Sequence, residues 1–303
     1  MKRCAYLIMR EPGDFVTDYD VSFPAMAELG WRVDTVVWDD PAIDWDGYDA
    51  VYICTPWDYP DKMDLFVDVL AAIDRSAAHL INDLALVHWN LRKTYLRDIE
   101  DRGGAIVPSL WHDDFTEHAV TAGFEEFSTR AVVIKPQVGA NAVDTFVVTD
   151  PPGSGLLAQL AKTFASRPFF VQPFMQNVQD EGEYSLFYFD LEYSHAILKT
   201  PAAGDFRSQE EHGAEILPVE APAGLLQAGE QIMSLVEPRP VYARADFIHD
   251  AGDRYLLMEL ELIEPSLYLR TDDGAAGRFA AAFDQRVAAS KRPVKANPDH
   301  GGR

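Results

Sequence analysis

Residues 255–270 read YLLMELELIEPSLYLR, and the fold follows from how this stretch is understood. Leu256, Leu257, Met258, Leu260, Leu262 and Ile263 suit a core strand. Glu259, Glu261 and Glu264 do not, because an unpaired buried carboxylate is costly or shifts its pKa until it is neutral. Just upstream, RADFIHDAGDRYLLMELE (244–261) reads as a β-hairpin turning at DAGD, where Asp and Gly are favoured. With a four-residue loop over 250–253, Asp246 lies opposite Leu257 and Arg244 opposite Glu259. Any even loop length puts Arg244, Asp246, Glu259 and Glu261 on one face, because side chains alternate along a strand. Ala245, Phe247, Met258, Leu260 and Leu262 then form the core face.

Carboxylates gathered on one face repel one another unless a cation sits among them. Hard oxygen ligands, completed by phosphate oxygens, are how Mg2+ is usually held. A solvated acidic face, or one arginine neutralising one acid, carries the same letters, so the metal reading requires phosphate-binding groups elsewhere. AVVIKPQVGANAVDT (131–145) offers them. Lys135 ends a β-branched run, and Gly139-Ala140-Asn141-Ala142 is a loop of small residues whose N–H groups can approach phosphates closely. It matches neither the dinucleotide fingerprint nor the Walker A pattern, and an ordinary hairpin reads the same way. Lys93 in WNLRKTYL reads on its own as an exposed helix residue, and FFVQPFM (169–175) as core or as a crossover against a flat adenine ring. Glu183 begins a strand in DEGEYSLF.

The 303 residues suggest two domains or three small ones, and 48% hydrophobic with 25% charged residues is a globular composition. A formal charge of −23 argues against a nucleic-acid scaffold or an anionic-membrane binder, both of which need a basic footprint. MKRCAYLIMREPGDF is too short in its apolar run for a signal peptide, and no stretch approaches a membrane span. Cys4 and Cys54 read as buried free thiols, consistent with the cytoplasm. The histidines show no metal-ligand spacing.

Residues 1–87 alternate strand and helix signals: CAYLIM, FPAMAELG, WRVDTVVW, YDAVYICT, DKMDLFVDVLAAID and HLIND. This implies a parallel sheet covered by helices. Residues 88–175 read as an α+β module that opens with a helix over NLRKTYLRDIEDRGG. Residues 176–290 read as a second α+β module with strand pairs at EYSLFYFDLEYSHAILKT and at the acidic hairpin, then a terminal helix. The 291–303 tail has no apolar period and reads as disordered.

These pieces, in this order, resemble the ATP-grasp superfamily of ligases. The match spans nearly the whole chain: a lysine-bearing helix followed by VP, then VVIKP with its small-residue loop, VQPFM, GEYSL, KTPAAGDFR, RADF and MELELIEPSLYL. CTPWDYPDK and IEPSLYLR place it near the glutathione-synthetase-like subgroup that includes cycloserine synthetase. The resemblance implies an α/β N-terminal domain and two α+β modules clasping ATP, with one or two Mg2+ ions, or Mn2+ in their place. It implies that Lys93, Lys135 and the loop Gly139, Ala140 and Asn141 contact phosphates. Gln172, Phe174 and Met175 would contact adenine and Glu183 the ribose. Asp246, Glu259 and Glu261 would hold the metal, while Arg244 and Arg207 act at the transferring phosphate. Glu261 stands where asparagine is common, and Gln172 where many members have an acid. Trp57, Asp58, Tyr59, Glu264 and Ser266 become substrate candidates.

The implied reaction joins a small-molecule carboxylate to an amine through an acyl phosphate, with closure of the 139–146 loop excluding water. The amine lies either on a second molecule or, as in cycloserine synthetase, on the same one, giving a ring. A non-catalytic nucleotide-binding module and a small-molecule kinase are the rival readings. The expected partners are small molecules, with neither nucleic acid nor membrane, and a homodimer is left open.

Overall fold

The computed structural model describes residues 1–139 and 142–290, so Ala140, Asn141 and the 291–303 tail lie outside the described residues. The chain opens with β1 (Lys2–Ile8), α1 (Phe23–Glu28), β2 (Trp31–Val37), β3 (Ala50–Thr55), α2 (Met63–Arg75) and β4 (His79–Ile81). Their sheet runs β2-β1-β3-β4 with every pairing parallel. Its central strands β1 and β3 bury residues on both faces, as a sheet covered on both sides requires, whereas edge strand β2 exposes Arg32 and Thr35.

Two short helices follow, α3 (Leu84–Asn90) and α4 (Tyr95–Asp101), where the sequence suggested a single helix from residue 90 onward. The break falls at residues 91–94, so Lys93 sits in a turn rather than on a helix, with its N–H donating to Gln137 O at 2.7 Å. Next come β5 (Leu110–His112), α5 (Glu117–Glu126), β6 (Ala131–Pro136), β7 (Phe146–Thr149), α6 (Ser154–Thr163) and β8 (Phe169–Pro173). These form an antiparallel sheet ordered β5-β8-β6-β7.

The last part contains α7 (Asn177–Asp180), β9 (Glu183–Phe189), β10 (Glu192–Thr200), β11 (Glu215–Pro218), α8 (Ala223–Ser234), β12 (Tyr242–His249), β13 (Tyr255–Glu261) and α9 (Ala275–Ala289). Its antiparallel sheet is ordered β11-β10-β9-β12-β13. Helix α9 turns back onto the first sheet, so that Phe279 and Phe283 share one core with Tyr6, Trp31, Tyr52 and Tyr242.

The acidic hairpin departs from the expected register. His249 pairs with Tyr255, leaving a five-residue loop, and a β-bulge follows between Asp246 and Phe247. An odd loop alone would have turned Glu259 and Glu261 into the core. The bulge adds one residue on β13 and restores the parity, so Asp246 faces Glu259 and Arg244 faces Glu261. Leu257, Leu260 and Leu262 remain in the core with Ala243, Ala245 and Phe247. Met258, expected on that core face, is instead the bulged residue and lines the cleft.

β13 ends the sheet, yet its outer edge is not left bare. Leu257 exchanges hydrogen bonds with the 105–107 segment: its N–H donates to Ala105 O, and Val107 N–H donates to its carbonyl, both at 2.9 Å. Leu260 N–H donates to Tyr95 Oη, and Asn90 Nδ2 donates to Leu260 O, also at 2.9 Å. Leu262 N–H donates to Asn90 Oδ1 at 2.9 Å, and Asn82 Nδ2 donates to Leu262 O at 2.7 Å. Side-chain amides thus stand in for a missing strand, which satisfies buried backbone groups and guards an open edge. Asn90→Ala leaves two of these groups unpaired and is expected to lower the unfolding free energy by about 2–4 kcal/mol in urea denaturation. A loss below about 1 kcal/mol would contradict the clamp.

Candidate active site

The three sheets surround one cleft of about 1730 Å3, its open mouth included. The hairpin forms its floor. Asp246 is 1% exposed and is the most heavily bonded acid. Arg244 Nε donates to both its oxygens at 3.1 and 3.2 Å, Ser185 Oγ donates at 2.5 Å, and Lys199 Nζ stands 3.4 Å away. Glu259 is ion-paired with Lys93, and Glu261 with Arg244. One oxygen from each of Asp246, Glu259 and Glu261 lies within 4.8 Å of the others.

The electrostatics of the floor are uneven. Burial raises the Asp246 carboxyl, but Arg244 and Lys199 outweigh it and hold the group at about 2. Burial likewise opposes ionisation of Glu259, and Lys93 reverses the balance, leaving its pKa lowered. At Glu261 burial wins, reinforced by Glu259 and Asp246 against Arg244, and the group is pushed up to about 7. Glu264 rises to about 8, first through burial and then through Glu261. The acid cluster therefore holds more carboxylate than the neighbouring side chains neutralise, which is the chemistry a divalent cation fits.

The basic groups face the same space. Lys135 lines the cleft and, among the described residues, has no carboxylate within ion-pair distance; burial, with Lys93 beside it, lowers its pKa. An ammonium in that position is available to a phosphate. Lys199, which the sequence reading passed over, is 5% exposed and paired with Glu183 as well as Asp246. Burial opposes its charge, yet Asp246 and Glu183 outweigh that and raise its pKa. Gly139 also borders the cleft, where a Cβ would come within 3.1 Å of Pro136.

An apolar slot adjoins these charges, lined by Val107, Val133, Phe174, Met175, Val178 and Met258. Gln172 borders it, but its Nε2 donates to Ser109 Oγ at 3.0 Å. Phe15, Trp57, Tyr59, Glu264 and Ser266 border the same cleft. Arg207 lines the cleft while its guanidinium grips Asp205. Asp58 does not border the cleft; it accepts from Trp38 Nε1 at 2.7 Å and pairs with Lys62. Met258, Lys199 and the clamping asparagines were the residues missed. Only Lys199 had a signal, a charged residue inside the apolar run AILKT.

The chain is similar to known proteins over most of its length. A family model described as the N-terminal domain of the D-cycloserine synthetase DcsG matches residues 4–82. The cycloserine biosynthesis protein DcsG of Streptomyces lavendulae is 27% identical over 289 residues, covering 89% of this chain and 94% of that protein. The crystal structure of D-cycloserine synthetase DcsG superposes with a TM-score of 0.83 at 24% identity, covering 94% of this chain and 99% of that one. The fold is that of the ATP-grasp ligases. The chain is homologous to DcsG. More distant ATP-grasp structures align as well. A Chryseobacterium gregarium ligase associated with a ribosomally made peptide, solved with ADP and peptide, has a TM-score of 0.65 at 14% identity over 94% of this chain and 97% of its own. A RimK domain protein from Sphaerobacter thermophilus has 0.66 at 17% over 92% and 98%. Among the described residues, no helix is long and apolar enough to cross a membrane.

The raised carboxyls predict a pH signature. A group whose pKa is higher in the folded protein than in the unfolded chain binds more protons when folded. Its stabilising effect is present below the unfolded pKa and lost as pH rises through the folded one. Glu261 at about 7 and Glu264 at about 8 place that loss between roughly pH 5 and 8. The melting temperature of the ligand-free protein is expected to fall across this range, with Glu264→Gln flattening the slope. A wild-type profile that rises steadily from pH 5 to 8 would contradict it.

Proposed function

We propose that the protein is an ATP- and Mg2+-dependent ligase that joins a carboxylate to an amine on small amino-acid-like substrates. The observation that carries this reading is the convergence of Lys93, Lys135, Lys199 and Arg244 on three clustered carboxylates beside an apolar slot. Asp246, Glu259 and Glu261 would hold Mg2+, which supplies charge neutralisation for the β- and γ-phosphate oxygens of ATP.

The apolar slot between Val133, Met175 and Met258 takes the adenine ring, and Glu183 lies where ribose hydroxyls would be. Lys135 and Lys93 offset phosphate charge, and Gly139 lets the backbone approach. The substrate carboxylate attacks the γ-phosphorus, the bond to the β-bridging oxygen breaks, and ADP leaves with an acyl phosphate formed. The amine nitrogen then attacks the carbonyl carbon and loses a proton, and the C–O bond to phosphate breaks. Arg244, fixed by Asp246 and Glu261, is placed to stabilise the tetrahedral oxyanion. Positioning and electrostatics are the catalytic means, with no nucleophilic side chain required.

The homology with DcsG favours ring closure, with carboxylate and amine on one molecule, over the peptide substrates of the more distant neighbours. An ADP-release screen of amino acids and amino-oxy amino acids, singly and in pairs, with mass spectrometry of products, tests the reading. Stimulation by one compound, with loss of one water from its mass, is expected. A requirement for two compounds would overturn ring closure. A phosphorylated product without an amide would make the protein a kinase, and ATP binding without any ADP release would remove the ligase reading.

A further inference from the structure

The acids on the cleft floor are not equivalent. Glu183 and Asp246 are paired with Lys199, Asp246 and Glu261 with Arg244, and Glu259 with Lys93. Glu264 alone among these five has no basic group within 4.0 Å in the described residues, though it borders the same cleft. It is nonetheless held in place. The Tyr59 hydroxyl lies near enough to its carboxylate to lower its pKa, and Trp57 Nε1 donates to its backbone carbonyl at 2.9 Å. Phe15 packs on Trp57 with ring centroids 5.1 Å apart, so aromatic side chains stand beside a carboxylate that, among the described residues, Lys93 influences but no base pairs with.

A second observation comes from the facing loop between β10 and β11. Ser208 is 3% exposed and lines the cleft, yet among the described residues its hydroxyl has no hydrogen-bond partner, and the buried Oε1 of Gln209, a residue that also borders the cleft, has none either. Buried polar atoms are normally paired, so two unpaired ones on residues that border the cleft call for a partner, which a polar ligand entering beside them would supply.

We propose that Glu264, with Tyr59, Trp57 and Phe15, forms a subsite for a primary ammonium group of the substrate, and that Ser208 and Gln209 bond the polar remainder of the same molecule. An ammonium satisfies both features of the pocket, since it pairs with the carboxylate and is attracted to aromatic faces. The inference rests on the ligase reading for its identification of the cleft's other end as the nucleotide site. It assigns a place in the cleft to an ammonium group of that amino-acid-like substrate, and it gives Glu264 a role distinct from that proposed for Glu261 three residues earlier on the chain.

The test uses thermal shift and calorimetry with the full protein in the presence of Mg2+ and the non-hydrolysable analogue AMPPNP. The probes are D- and L-amino acids and amino-oxy amino acids, each beside its N-acetyl derivative. Free amines are expected to stabilise the protein and N-acetyl forms to lose the effect. Glu264→Gln should weaken amine binding by roughly tenfold or more, as loss of a charge-assisted bond implies, with Glu264→Asp intermediate. Affinity for AMPPNP should change less than about twofold, since the site for it is elsewhere in the cleft. Equal binding of the N-acetyl forms, an unchanged Glu264→Gln variant, or no stabilisation by any amine would overturn the subsite. A changed Mg2+ dependence in Glu264→Gln would overturn it too, by making Glu264 a metal group. ADP release is read in parallel. Amine-dependent stabilisation without ADP release supports the subsite and counts against the ligase reading, whereas ADP release indifferent to N-acetylation does the reverse.

Discussion

Everything in the cleft depends on one strand being two things at once. β13 must be apolar toward the core and acidic toward the cleft, and its outer edge has no strand beside it. The alternation of strand side chains makes the first condition possible. The second is met by Asn82, Asn90, Tyr95 and the 105–107 segment, which take the hydrogen bonds a neighbouring strand would otherwise take. Because the helix pair that supplies Asn90 and Tyr95 also carries Lys93 in its turn, the edge clamp and the cation facing Glu259 are placed by the same few residues. The same short segment therefore both satisfies the strand's edge and sets the position of Lys93 in the cleft.

The cost of that arrangement is visible in the charges. Four basic side chains cannot neutralise all the acids of the floor, and the shortfall collects on Glu261 and Glu264. A protein selected for stability alone would have apolar residues there, since desolvating a carboxylate exceeds what distant partners return. The imbalance is understandable as a site arranged for ligands that bring positive charge. The three acids proposed to hold a metal pair with Arg244, Lys93 and Lys199, while Glu264 lies among aromatic side chains, so the proposed metal and the proposed ammonium would have separate places.

Much of this was legible in the letters. The parity of Arg244, Asp246, Glu259 and Glu261 put them on one face whatever the even loop length, and strand–helix alternation at the start announced the parallel sheet. The hairpin's real register was not legible. A five-residue loop and a bulge shift the pairing by two while preserving the face, and no residue between 250 and 258 distinguishes that from a plain four-residue turn. Met258 moved from core to cleft for this reason. Lys199 stood out as a charge in an apolar run, but nothing local names Glu183 and Asp246 as its partners, and Asn82 and Asn90 act through backbone groups about 160 to 180 residues distant in sequence, which no local pattern encodes. Asp58 was misplaced because its neighbours Trp57 and Tyr59 do face the cleft, whereas it turns to Trp38.

The central claim is that the acid cluster on the hairpin is a metal site serving a bound nucleotide. Calorimetric titration of AMPPNP into wild-type protein and Asp246→Asn, each with Mg2+ and with EDTA, tests it most directly. The account predicts that Mg2+ strengthens binding to the wild type by roughly tenfold or more and that Asp246→Asn loses this enhancement while still binding the nucleotide weakly. Equal enhancement by Mg2+ in both proteins would contradict it.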